Sequence, residues 1–266
     1  MGWKVRAARS AAAAVVAAVG AVALAGCSME AEAGSEAPAT GRIVAALVDQ
    51  SCDATEDLTA LAGPAVDASV RAAAADGGTF LGEAITTDEY QSGTFNISAE
   101  FSSDAANDTS RQIDLDEQAE DFLAGKDGET LRAGPATGDK CGSDLVNAMS
   151  AAGRTFSQVG DSGAREKDLV FITNGLLIDG ARNFVWDTMT PEYLEQVIDE
   201  QQAADLFPDL TGVNVHFVGI GISDQPATAE QIRTVERFWE SYATRAGAKS
   251  VELVGRGSGV ILGGQA

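Results

Sequence analysis

Short apolar runs punctuate this chain, and between them apolar positions recur at helical spacing. Residues 42–48 (RIVAALV) and 168–173 (DLVFIT) are nearly continuous apolar stretches, the pattern of strands buried on both faces. Residues 213–221 (VNVHFVGIG) and 250–254 predict two further strands. Residues 79–86 (TFLGEAIT) and 94–101 (TFNISAEF), joined by a polar loop, predict an antiparallel hairpin at a sheet edge. Residues 55–75 carry Leu58, Leu61, Val66 and Val70 at helical spacing; Pro64 is expected to bend or split that helix, and Gly77-Gly78 to stop it. Residues 143–156 predict a helix with Ser143 at its N-cap and Leu145, Met149 and Ala152 along one face. Residues 191–206, capped by Thr190 with Pro191 in the first turn, and the amphipathic stretch 227–246 predict two more. The polar, acidic segment 104–138 predicts only one weak helix, at 116–124, and the glycine-rich tail 255–266 is expected to be irregular. Strands alternating with helices predict an α/β domain over 41–254. Its single doubly wound sheet is expected to be mostly parallel, with helices on both faces and an antiparallel edge strand.

The first 26 residues follow a different pattern. A basic start (Lys4, Arg6, Arg9) precedes an alanine-rich apolar run from 11 to 24, the layout of a secretory signal and too short for a comfortable membrane span. Leu24-Ala25-Gly26-Cys27 resembles the lipobox of bacterial lipoproteins. The resemblance implies cleavage before Cys27 and acylation of that residue, with palmitate among the chains. The protein is then expected at the cell membrane, lipid-anchored on the extracytoplasmic face. Residues 27–40 are small and acidic, cannot bury enough surface to fold, and are expected to form a flexible tether.

Removing residues 1–26 takes three of the 18 basic side chains and none of the 40 acidic ones, so 15 against 40 leaves a mature net charge of −25. Such a surface repels nucleic acid, which excludes DNA and RNA as partners, and favours cations. With Cys27 acylated, Cys52 and Cys141 are an even pair in an oxidising compartment, where a disulfide is the default. Free thiols and metal ligands are the competing readings, but no CxxC or His/Cys cluster supports them.

In open α/β sheets ligands bind beyond the carboxyl ends of the strands, where strand order reverses. With the 42–48 strand central, that point lies between it and the 168–173 strand. Asp49-Gln50-Ser51-Cys52-Asp53 and Thr173-Asn174-Gly175 emerge there, beside the turn Lys140-Cys141-Gly142-Ser143-Asp144. An Asp-x-Ser after the first strand, a hydroxyl residue opening a helix and a Thr-x-Gly after the fourth strand together resemble the von Willebrand factor A (vWA) domain. The resemblance spans 41–254 as a pattern of elements. It implies a vWA-like, Rossmann-like topology and a metal-ion-dependent adhesion site for Mg²⁺ or another divalent cation. Carried over residue by residue, Asp49 and Ser51 match the first motif and Asp53 stands where the family has a second serine. Ser143 stands for its threonine, and Asn174 for its aspartate. Two carboxylates are thus kept, in keeping with magnesium's need for hard oxygen ligands. A Cys52–Cys141 disulfide would join two of these loops and stabilise the fold by about 4–5 kcal/mol in the chain-entropy model.

Other motifs carry less. Gly160-Asp161-Ser162-Gly163 is similar to a serine-protease nucleophile loop, but the one histidine, His216, lies in a strand's apolar run, away from a triad. Gly219-Ile220-Gly221 lacks the rest of a dinucleotide fingerprint, and the acids of 104–129 lack EF-hand spacing. The expected function is therefore not enzymatic. It is a membrane-anchored binding or adhesion module that engages a protein partner through the sheet's carboxyl edge. The alternative is a metal-free binding protein for a small molecule or envelope polymer in the same crevice.

Overall fold

Strand β1 (Ile43–Asp49) is buried along its whole length and lies in the middle of a six-stranded sheet. The computed structural model describes residues 41–51, 54–85, 95–134, 144–159, 166–178, 183–184, 190–222, 227–255 and 262. The chain leaves β1 through α1 (Glu56–Ala75) and pairs β2 (Thr79–Ile85) in parallel beside it; β3 (Ile97–Glu100) then returns antiparallel at the edge. Helices α2 (Asp108–Ala124), α3 (Lys126–Leu131) and α4 (Leu145–Val159) carry the chain back across β1 to β4 (Lys167–Ile172). A two-stranded ribbon, β5 (Leu177–Ile178) and β6 (Asn183–Phe184), leads to α5 (Pro191–Ala203). Strand β7 (Val213–Val218), α6 (Ala229–Arg245) and β8 (Ser250–Val254) complete the order β3-β2-β1-β4-β7-β8, with every pair but β2–β3 parallel. The α/β sheet, its central first strand and its antiparallel edge are as the sequence predicts.

Alternation along β1 divides the core. Val44, Ala46 and Val48 pack with α1, α2 and α3, while Ile43, Ala45 and Leu47 pack with α4, α5 and α6. Trp239 of α6 is wholly buried in the second layer, with its ring 6.1 Å from Phe171 and 5.9 Å from Phe217. Burying one such large apolar side chain contributes about 1.5–3 kcal/mol.

Two expectations are corrected. Pro64 does not split α1, which runs unbroken from Glu56 to Ala75. Pro64 and Ala60 are both exposed, so the carbonyl that the proline leaves without an N–H faces water rather than core. The weak helix at 116–124 is the second half of a 17-residue helix, α2, followed by α3. Only Leu115, Ala119 and Leu123 of α2 are buried, a stripe one residue wide that barely registers in the sequence. The caps at Thr55, Thr190 and Thr228 each accept from the backbone N–H three residues on.

Candidate functional site

Parallel strands β1 and β4 are neighbours, and the chain leaves them toward opposite faces of the sheet, so their carboxyl ends lie at the reversal of strand order, the place where open α/β sheets bind ligands. Asp49 closes β1 there, 3% exposed. Its Oδ2 accepts from the Thr173 hydroxyl at 2.9 Å and its Oδ1 from the Ser51 amide at 3.1 Å. The carboxylate is thus oriented from both sides, by its own loop and by the neighbouring strand's. Gln50 points the other way, and its Nε2 donates to the carbonyls of Thr130 (2.8 Å) and Leu131 (3.1 Å), tying the end of β1 to α3.

Ser51 is 1% exposed, and its Oγ has no hydrogen-bond partner among the described residues. Leaving a buried hydroxyl unpaired costs about 1–3 kcal/mol, which makes this oxygen a candidate to meet a ligand.

The β4 loop is built with equal care. Thr173 Oγ1 accepts from the Gly175 amide at 3.0 Å, and Asn174 Oδ1 accepts from the Leu176 amide at 2.8 Å. The Gly221 amide donates to the Asn174 carbonyl at 2.9 Å, fastening the loop to the end of β7. The indole N–H of Trp239 donates to the Gly175 carbonyl at 2.9 Å. Gly175 has φ +76, and a Cβ there would sit 2.7 Å from Ile220 Cδ1 and 2.8 Å from the indole nitrogen, so glycine is required twice over.

Of the residues the sequence singles out, Asp49 and Ser51 come together in one turn, and Asn174 follows the threonine that grips Asp49. Asp53, Cys52, Cys141 and Ser143 lie outside the described residues, as do Cys27 and Gly160–Gly163. The first described residue before α4 is Asp144, whose Oδ1 accepts from the Asn147 amide at 3.2 Å; the cap expected from Ser143 lies outside the described residues. Thr173 was missed as a site residue, although a hydroxyl closing a buried strand next to a carboxylate-bearing one is a signal worth heeding.

Among the described residues no three His, Cys, Asp or Glu side chains converge as a metal cluster. The donors gathered at this edge are instead one carboxylate and neutral oxygens, a hard-oxygen set of the kind that suits magnesium or calcium rather than softer metals. No helix among the described residues is long and apolar enough to cross a membrane. Neither protein-family models nor curated proteins match this chain. What the fold defines on its own is a class: a doubly wound α/β domain with buried polar side chains at the carboxyl edge of its central strands.

Proposed function

We propose that this chain is an exported, lipid-anchored binding module of the vWA type, which captures a protein partner through a divalent cation at the carboxyl edge of β1 and β4. The observation that carries the reading is Ser51 Oγ, buried and unpaired beside a carboxylate held from two sides. A cation would supply the missing partner of that oxygen. Asp49 and Ser51 would hold it, with Asp53, Ser143 and Asn174 completing the set by the resemblance. Bound there, a cation of this kind offers a free coordination position that a carboxylate of the partner can fill. Nothing in this scheme breaks a covalent bond, so the protein binds rather than catalyses.

The alternative, metal-free capture of a small molecule or envelope polymer, is favoured by Asn174. It is uncharged, and its carbonyl oxygen already accepts from Leu176. A chelator separates the two, because only the first mode is lost with the metal.

Thermal unfolding of soluble 28–266 in EDTA, Mg²⁺, Mn²⁺ or Ca²⁺ tests the reading. A cation at a hundred times its dissociation constant should add about 2.7 kcal/mol. That gain in wild type, absent in Asp49→Ala, supports a working site. Equal stability in all four conditions removes the cation from the proposal and leaves the metal-free alternative.

A further inference from the structure

At the opposite end of β4, polar side chains cross the sheet where its neighbours on the same face are apolar. His216, in the middle of β7, is 7% exposed and lies between two carboxylates. Its Nδ1 is 2.9 Å from Glu252 Oε2 on β8, and its Nε2 is 3.2 Å from Asp168 Oδ1 on β4. Asp168, 2% exposed, also accepts from Asn214 Nδ2 at 3.2 Å, and its second oxygen lies 3.6 Å from Nη1 of Arg42, just ahead of β1. Arg42 in turn meets Glu166 (2.5 Å) and Asp76 (3.4 Å). The chain of charges thus spans β8, β7, β4 and the start of β1.

We propose that Glu252, His216, Asp168 and Arg42 form a proton-operated clasp, which fastens the last strand, β8, to the sheet while His216 is protonated and loosens it when the proton leaves. The geometry requires the proton. A neutral imidazole has one N–H, so it can donate to one carboxylate only and must present a lone pair to the other. An imidazolium donates to both. With it, Asp168, Glu252, Glu166 and Asp76 face two cations; without it they face one, and a buried carboxylate is left underpaired.

Strand β8 is the element that depends on this contact. Among the described residues it pairs with β7 alone, and of its five residues only Val254 is buried. Val251 is partly buried against the core, and the Ser250 hydroxyl donates to Asn214 Oδ1 at 2.9 Å, so apolar burial is thin and polar contacts, the Glu252–His216 one among them, share in its attachment. Burial of the ring works against its charge, but the hydrogen bonds and charges of Asp168 and Glu252 outweigh that and raise the pKa of His216 above the usual 6.5. The folded value lies above the unfolded one, so the clasp is complete below about pH 6.5 and is lost as pH rises through the folded value.

His216 is the only histidine in the chain, so its ring resonances are unambiguous in the purified protein. Two measurements test the clasp. One is the NMR titration of the ring. The other is hydrogen exchange of 250–254, corrected for intrinsic rate, at pH 6 and pH 8.5. The expected results are a ring midpoint above 6.5 and exchange in β8 at least about tenfold faster at the higher pH. His216→Gln should make corrected exchange the same at both values. Glu252→Gln alters a half-exposed side chain, so it is the variant sure to fold, and it should lower the ring midpoint. A midpoint at or below 6.5, or exchange in β8 unchanged with pH in wild type, overturns the clasp.

Discussion

The Trp239 indole reaches from α6 to the Gly175 carbonyl at the end of β4, 2.9 Å away, and so fixes from behind the loop that presents Thr173 and Asn174 at the crevice. Trp239→Phe keeps most of the apolar contact and removes the donor. The carbonyl is then left unpaired in the core, and stability should fall by about 1–3 kcal/mol. Urea unfolding checks this, and a loss under half a kcal/mol would mean the contact is incidental.

Thr173 performs two tasks with one oxygen, donating to Asp49 and accepting from Gly175. Thr173→Val, which is nearly isosteric, ends both. Stability should drop by about 1–3 kcal/mol, and the cation-dependent gain in melting temperature should shrink with it. Thr173→Ser keeps the hydroxyl and should restore that gain.

Asn174→Asp adds a carboxylate at the position the vWA resemblance assigns to one. If a cation sits at this edge, its dissociation constant should fall by tenfold or more, read by calorimetry with Mg²⁺ and Ca²⁺. Without cation, the variant should be less stable than wild type, because a second charge joins buried Asp49 uncompensated. Affinity unchanged by the extra charge would argue that the cation does not touch position 174.

Gly175→Ala forces a Cβ into a left-handed backbone and against Trp239 and Ile220. Both effects act at one residue, so a loss of at least about 1–3 kcal/mol is expected in chemical unfolding.

If the chain is exported as proposed, Cys52 and Cys141 should be found joined. Thiol titration of unreduced, denatured 28–266 should detect no free sulfhydryl, and reduction should release two. Two free thiols before reduction would refute the pairing.

The sheet was legible because β1, β4 and β7 are strands buried on both faces, and such strands must be written as apolar runs. The helix start at Thr190 was legible, where a hydroxyl precedes a proline in the first turn, whereas Thr55 and Thr228 are caps just outside helices whose predicted spans include them. Helix α2 was not, since a helix resting on a thin stripe of Leu115, Ala119 and Leu123 looks like an acidic loop. At the crevice, Asp49, Ser51 and Asn174 could be picked from their places after strands. The grip of Thr173 on Asp49 could not, because it depends on how far each strand projects. His216 lies in a strand's apolar run as the sequence places it, and it is buried rather than partly exposed. Its two carboxylates come from strands 48 and 36 residues away, and only register brings them to it.

Asp49 and Thr173 are 124 residues apart in the chain, yet one hydrogen bond joins them. Neither half of the protein can therefore carry a working fraction of the crevice. A chain cut short before β4, or nicked and separated between α2 and α4, keeps Asp49 but loses the hydroxyl that aims it. If this edge captures a partner as proposed, capture would be an all-or-nothing report that the central sheet has closed, and fragments would not compete with the intact molecule for it.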